Sequence, residues 1–103
     1  MLRRRRFAEV VERQLDLFAQ DYAWLLAECD SAERLYDLAE RDEAEERYGD
    51  YLDLVATGTE ALANLRDNFV RTLDENVAAE YEAEFNRAVL KRFRRFTLEI
   101  EDT

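Results

Sequence analysis

At 103 residues, nearly half of them apolar and with a net charge of −10, the chain is long enough for one modest core and too apolar to be disordered by composition. It has no proline, two glycines and no histidine, so helix breakers are scarce and the commonest general base and zinc ligand are missing. Cys29 is the single cysteine, which excludes an internal disulfide and reads as a small core residue in a reducing compartment.

The chain opens with Arg3, Arg4, Arg5 and Arg6, but Glu9, Glu12 and Arg13 interrupt at once, so no uncharged apolar run of a secretion signal follows. No stretch has the length and apolarity of a membrane span either, and a cytoplasmic location is expected. At about 100° per residue, Phe7, Val11, Leu15, Phe18, Tyr22, Leu25 and Cys29 fall within roughly 50° of one another. Their spacing of mainly fours and threes is a coiled-coil-like seam, and it predicts a first helix from about Arg4 to at least Cys29. At Asp30 the phase breaks: Leu35, Leu38 and Ala39 lie about a quarter-turn away, and Asp30 with Glu33 has capping-box spacing. A kink or tight break is expected there, followed by a shorter helix to about Arg41, with a continuous, kinked helix as the alternative.

Tyr48, Leu52, Val55, Leu62, Leu65, Phe69 and Leu73 share the next face and predict a helix from about Ala44 to Leu73. Thr57 and Glu60 have the spacing of a cap that would split it. The phase is preserved across Gly58, which favours one helix with a glycine where a facing backbone comes close. Asn76 is a fair N-cap for the last helix, lined by Val77, Tyr81, Phe85, Val89 and Phe96 and expected from about Val77 to Arg95. Phe96 to Ile100, the only short β-favouring run, falls at a fraying end. The expected fold is all-α, a single domain over residues 1–103. Its form is an elongated antiparallel bundle of three long helices, or four if the chain turns at Asp30.

Val10, Leu17 and Trp24 recur every seven residues about 120° from the seam of their own helix, and Leu38 extends the series. Two readings stand. A helix facing two neighbours needs a wide apolar arc; alternatively one stripe makes the core and the other meets a second chain. On the second reading Val10, Leu17, Trp24 and Leu38 are a candidate interface, with a second copy or another helical protein as partner.

Charge is segregated. Residues 7 to 86 hold 22 acidic and six basic residues, while Arg87, Lys91, Arg92, Arg94 and Arg95 form a second basic cluster. Cations at the end of the last helix complement its dipole. Arg3, Arg4, Arg5 and Arg6 oppose the dipole of theirs, so they are either a solvated end or a candidate anion-binding group. The acidic body disfavours nucleic acid as the counterpart, and the acidic flank of another copy suits it better.

No motif carries recognisable catalytic chemistry. Glu9 and Glu12, followed by Glu33 and Asp37, have a passing likeness to the magnesium-binding carboxylates of an all-helical nucleotide pyrophosphohydrolase. The spacing of the second pair is wrong by one, and Glu9 lies about 160° from its seam, pointing to solvent. The working expectation is a non-enzymatic helical interaction or assembly module, homodimeric, with no cofactor and no metal. The alternatives are that hydrolase, or an anion-binding adaptor that uses the N-terminal arginines.

Overall fold

The computed structural model describes residues 6–98. Among them are four helices: α1 (Ala8–Asp21), α2 (Ala23–Asp37), α3 (Arg41–Val70) and α4 (Glu75–Arg92). The fold is all-α, and the molecule is elongated, 54 × 29 × 28 Å.

The expected break at Asp30 is absent, since α2 runs straight through it. The discontinuity lies at Tyr22, whose φ of −114° and ψ of 26° interrupt the helix. Tyr22 N–H still bonds Phe18 O at 2.9 Å and Leu26 N–H bonds Tyr22 O at 3.0 Å. The helical ladder therefore bridges the interruption, and α1 and α2 form one kinked rod. No proline or glycine marks the site. The Phe18 and Tyr22 rings stack there, 4.9 Å apart.

This rod runs antiparallel to α3. At one end Tyr36 meets Tyr48, their rings 5.1 Å apart. At the other, Gln14, Phe18 and Tyr22 line one groove with Asn68, Leu65 and Ala61. Each step up the rod is thus matched by a step down α3. Helix α3 is continuous over 30 residues, about 45 Å, and Thr57 does not cap a new helix because its hydroxyl donates to Asp53 O. After a turn, α4 starts behind the extended Asp74 rather than Asn76 and runs parallel to α1, with Phe7 against Tyr81 and Arg92 paired to Asp16 at 2.8 Å. The long segments run up, down and up, with the first one kinked.

The core joins Val11, Leu15 and Phe18 of α1, Leu25 and Cys29 of α2, Leu62 of α3 and Tyr81, Phe85 and Val89 of α4. The expected seams of the first and last helices supply these residues, although Phe7 and Tyr22 are only partly buried against them and Val77 is not among them. The chain leaves the helix at Phe93, earlier than expected, and then turns back inward, so that Phe96 and Leu98 are buried rather than frayed. Phe96 lies on Gly58. A Cβ at Gly58 would sit 2.7 Å from Cζ and 2.9 Å from Cδ1 of the ring, and closer still to Cε1. The close approach at this glycine is by an aromatic side chain, not by backbone.

Arg95 fixes that segment from outside. Its guanidinium donates to Asp30 at 3.0 Å and Glu33 at 2.6 Å on α2, and to the Tyr51 hydroxyl at 3.3 Å on α3. Partial burial works against its charge, but the bonds to Tyr51, Asp30 and Glu33 outweigh this and push its pKa up. Within the core, Tyr81 donates to Gln14 Oε1 at 2.8 Å, and Arg66 of α3 reaches Asn86 of α4 at 2.9 Å.

Two expectations follow. Gly58→Ala should lower stability by about 1–3 kcal/mol despite alanine's better helix propensity, because the Phe96 ring must move. Denaturant unfolding should show the loss shrinking when Phe96 is also replaced by leucine. Burial pushes the Tyr81 phenol up to about 12. An unfolded tyrosine titrates near about 10, so the contribution of this group should be unchanged below that pH and fall by about 2–3 kcal/mol as pH rises from 10 to 12. In Tyr81→Phe this alkaline loss should be largely absent.

Candidate interaction surface

The rod and α3 form a two-helix layer, and the faces of that layer differ. One is covered. Helix α4 packs along α1, and residues 93–98 continue over the join with α2, where Phe93 meets Phe18 at 5.3 Å and Arg95 spans α2 and α3. The other face carries the seven-residue stripe. Around α1, Leu17 lies about 120° from the Val11–Leu15–Phe18 face, where it lines the α1–α3 groove rather than the groove shared with α4.

Of the candidate interface residues, Val10 is half-buried and packs against the core. Leu17 is 51% exposed, Trp24 56% and Leu38 81%. Leu35, at 47%, belongs to the same flank: at about 100° per residue it falls within roughly 60° of Trp24 and Leu38. Four exposed apolar side chains thus share a flank that also carries the exposed Glu28 and Ser31.

Beyond Ala32 on α2 and before Gly58 on α3, the pair of helices becomes an arm. No side chain between residues 33 and 57 is buried. Besides Leu35 and Leu38, the arm exposes Tyr36, Tyr48 and Leu52. The same stretch holds nine acidic and three basic residues, so its apolar side chains sit within a negative surround.

Of the candidate anion-binding residues, Arg3, Arg4 and Arg5 lie outside the described residues. Arg6 is exposed, 3.9 Å from Glu80 near the start of α4. The second basic cluster is at the far end of α4, where Lys91 and Arg92 occupy the last turn. Three of its cations are engaged within the chain, Arg87 by Glu84, Arg92 by Asp16 and Arg95 by Asp30 and Glu33. Arg6 and this cluster therefore lie at opposite ends of α4.

The carboxylates compared with a magnesium site are dispersed. Glu9 and Glu12 lie on the outer side of α1 with Arg13 and Asp16, and Glu33 is held by Arg95. Among the described residues no group of three or more His, Cys, Asp or Glu side chains is placed to hold a metal ion, and no helix is long and apolar enough to cross a membrane. Cys29 is buried, and desolvation raises its thiol pKa. No known protein family matches the chain, and neither a characterised protein nor a solved structure shows significant similarity to it.

Sequence reasoning missed Arg95, Leu35 and the aromatic arm. For Leu35 the signal was present, since positions 24, 28, 31, 35 and 38 follow one flank of a helix. For Arg95 there was none, because a guanidinium that binds two helices looks like any other in a basic run.

Proposed function

We propose that this chain is a non-enzymatic helical assembly module that self-associates through the bare flank of its kinked rod. The observation that carries this reading is the exposure of Leu17, Trp24, Leu35 and Leu38 on one side of α1 and α2. They flank a layer whose other face is already closed by α4 and the C-terminal segment. A protein of this size has little core per residue, and its arm has no buried residue of its own. Covering the flank with a second helical surface supplies the missing packing, with about 1.5–3 kcal/mol for each large side chain fully removed from water. Trp24 suits the centre of such an interface, where a few aromatic and aliphatic anchors carry most of the energy.

The test is the solution mass by light scattering after size exclusion. A dimer is expected at both low and high salt, because apolar contacts are not screened. Leu17→Glu combined with Trp24→Glu alters only exposed positions, so the far-UV circular dichroism of the helices should persist while the dimer weakens at least about a hundredfold. A native chain that is monomeric throughout the micromolar range contradicts the proposal.

A further inference from the structure

Residues 93–98 are held differently from the helices. The chain leaves α4 at Phe93, whose N–H bonds Val89 O at 2.7 Å, and the next backbone bond, Phe96 N–H to Phe93 O at 2.9 Å, stays within the segment. The Thr97 hydroxyl also donates inside it, to Arg94 O at 3.0 Å. Among the described residues no backbone hydrogen bond ties this segment to α2 or α3. Side chains alone hold it there: Phe96 and Leu98 buried in the core, Phe93 partly buried against it, and the Arg95 guanidinium on Asp30, Glu33 and Tyr51.

Each of these holds can be released without dismantling a helix. Phe96 rests on Gly58, where α3 has no side chain to enclose the ring. The Arg95 contacts are made to carboxylates whose side chains are 60% and 49% exposed, so water can replace them at modest cost. Helix α4, by contrast, sets Tyr81, Phe85 and Val89 in the core and takes Arg66 of α3 on its Asn86. Segments with few buried contacts open first, at a free energy below that of global unfolding.

We propose that residues 93–98 are a strap that opens transiently as a unit while the four helices stay formed, and that Arg95 is its clamp. Opening uncovers the core where α1 meets α2, beside Phe18. Cys29 lies at the same level. It is fully buried, one helical turn before Glu33 on the same face, and its thiol feels the charge of Arg95. As the single thiol of the chain, it reports the open strap through its reaction with a small uncharged disulfide.

Labelling of Cys29 with dithiodipyridine across sub-denaturing urea tests this. When the strap recloses faster than the thiol reacts, the rate follows the population of the open form. Local opening exposes little surface, so the rate should change little with urea until global unfolding takes over with its steep dependence. Arg95→Gln should speed labelling in water about tenfold, the low end for charge-assisted bonds because both carboxylates are about half exposed. The substitution also removes a nearby cation, which raises the thiol pKa and slows the chemistry itself, so the acceleration reports opening and not reactivity. Arg66→Gln removes the α3–α4 link instead; it should lower global stability and leave that rate unchanged. Labelling of the native chain that keeps the steep urea dependence down to pure water overturns the strap, and no variant is needed to read it. Equal acceleration by Arg66→Gln and Arg95→Gln overturns it too, because the thiol then reports the whole fold. A rate that Arg95→Gln does not raise overturns the clamp.

Discussion

The ring of Phe96 lying on Gly58 is the contact on which the rest of the arrangement depends. Helix α3 can admit an aromatic ring against its backbone only where it lacks a Cβ, and Gly58 supplies that place at a cost of about 1 kcal/mol in helix propensity relative to alanine. The ring closes the core at the level where α1 gives way to α2, beside Phe18 at 6.0 Å. Arg95, one residue earlier, binds Asp30, Glu33 and Tyr51 and holds the segment across α2 and α3. Together the two residues carry the cover begun by α4 past the kink to the base of the arm, although α4 is only 18 residues long.

The closure is one-sided. Past the contacts of Arg95 with Glu33 and Tyr51 the arm holds no buried residue, and on the opposite face Leu17, Trp24, Leu35 and Leu38 remain about half exposed or more. The internal ion pairs lie on the covered face, where Arg92 meets Asp16 and Arg95 meets α2. Polar interactions thus pin the finished side, and exposed apolar side chains mark the unfinished one. This division supports an assembly role more strongly than any single residue does.

Much of this was legible from spacing. The seam Val11, Leu15, Phe18, Leu25, Cys29 and the face Tyr81, Phe85, Val89 are core because a period of 3.6 keeps them on one side of their helices. The shift in phase at Asp30 was misleading in an instructive way. Leu35 and Leu38 leave the seam because they belong to the bare flank, while Ala32 and Tyr36 keep the seam's phase through an unbroken α2. A turn and a second apolar face leave the same trace in a pattern of hydrophobic residues. The kink at Tyr22 left no trace, since its backbone bonds continue and the seam crosses it in phase. Phe96 fitted the helical phase of α4 although it lies past the helix's end. Its position came from the tertiary fit with Gly58, two residues 38 apart in sequence. The candidate interface could be proposed from its heptad spacing, but its exposure needed the placement of α4, which no local pattern fixes.

The central claim is that the bare flank and arm are completed by a second copy of the chain. Amide hydrogen exchange over a dilution series measures this directly, because α2 and the first half of α3 report their own protection. The account requires amides in residues 33 to 57 to become better protected as concentration rises through the association range, while those of α4 around Tyr81 and Phe85 stay protected throughout. Arm protection that is independent of concentration would contradict it and leave the arm as a feature of the isolated monomer.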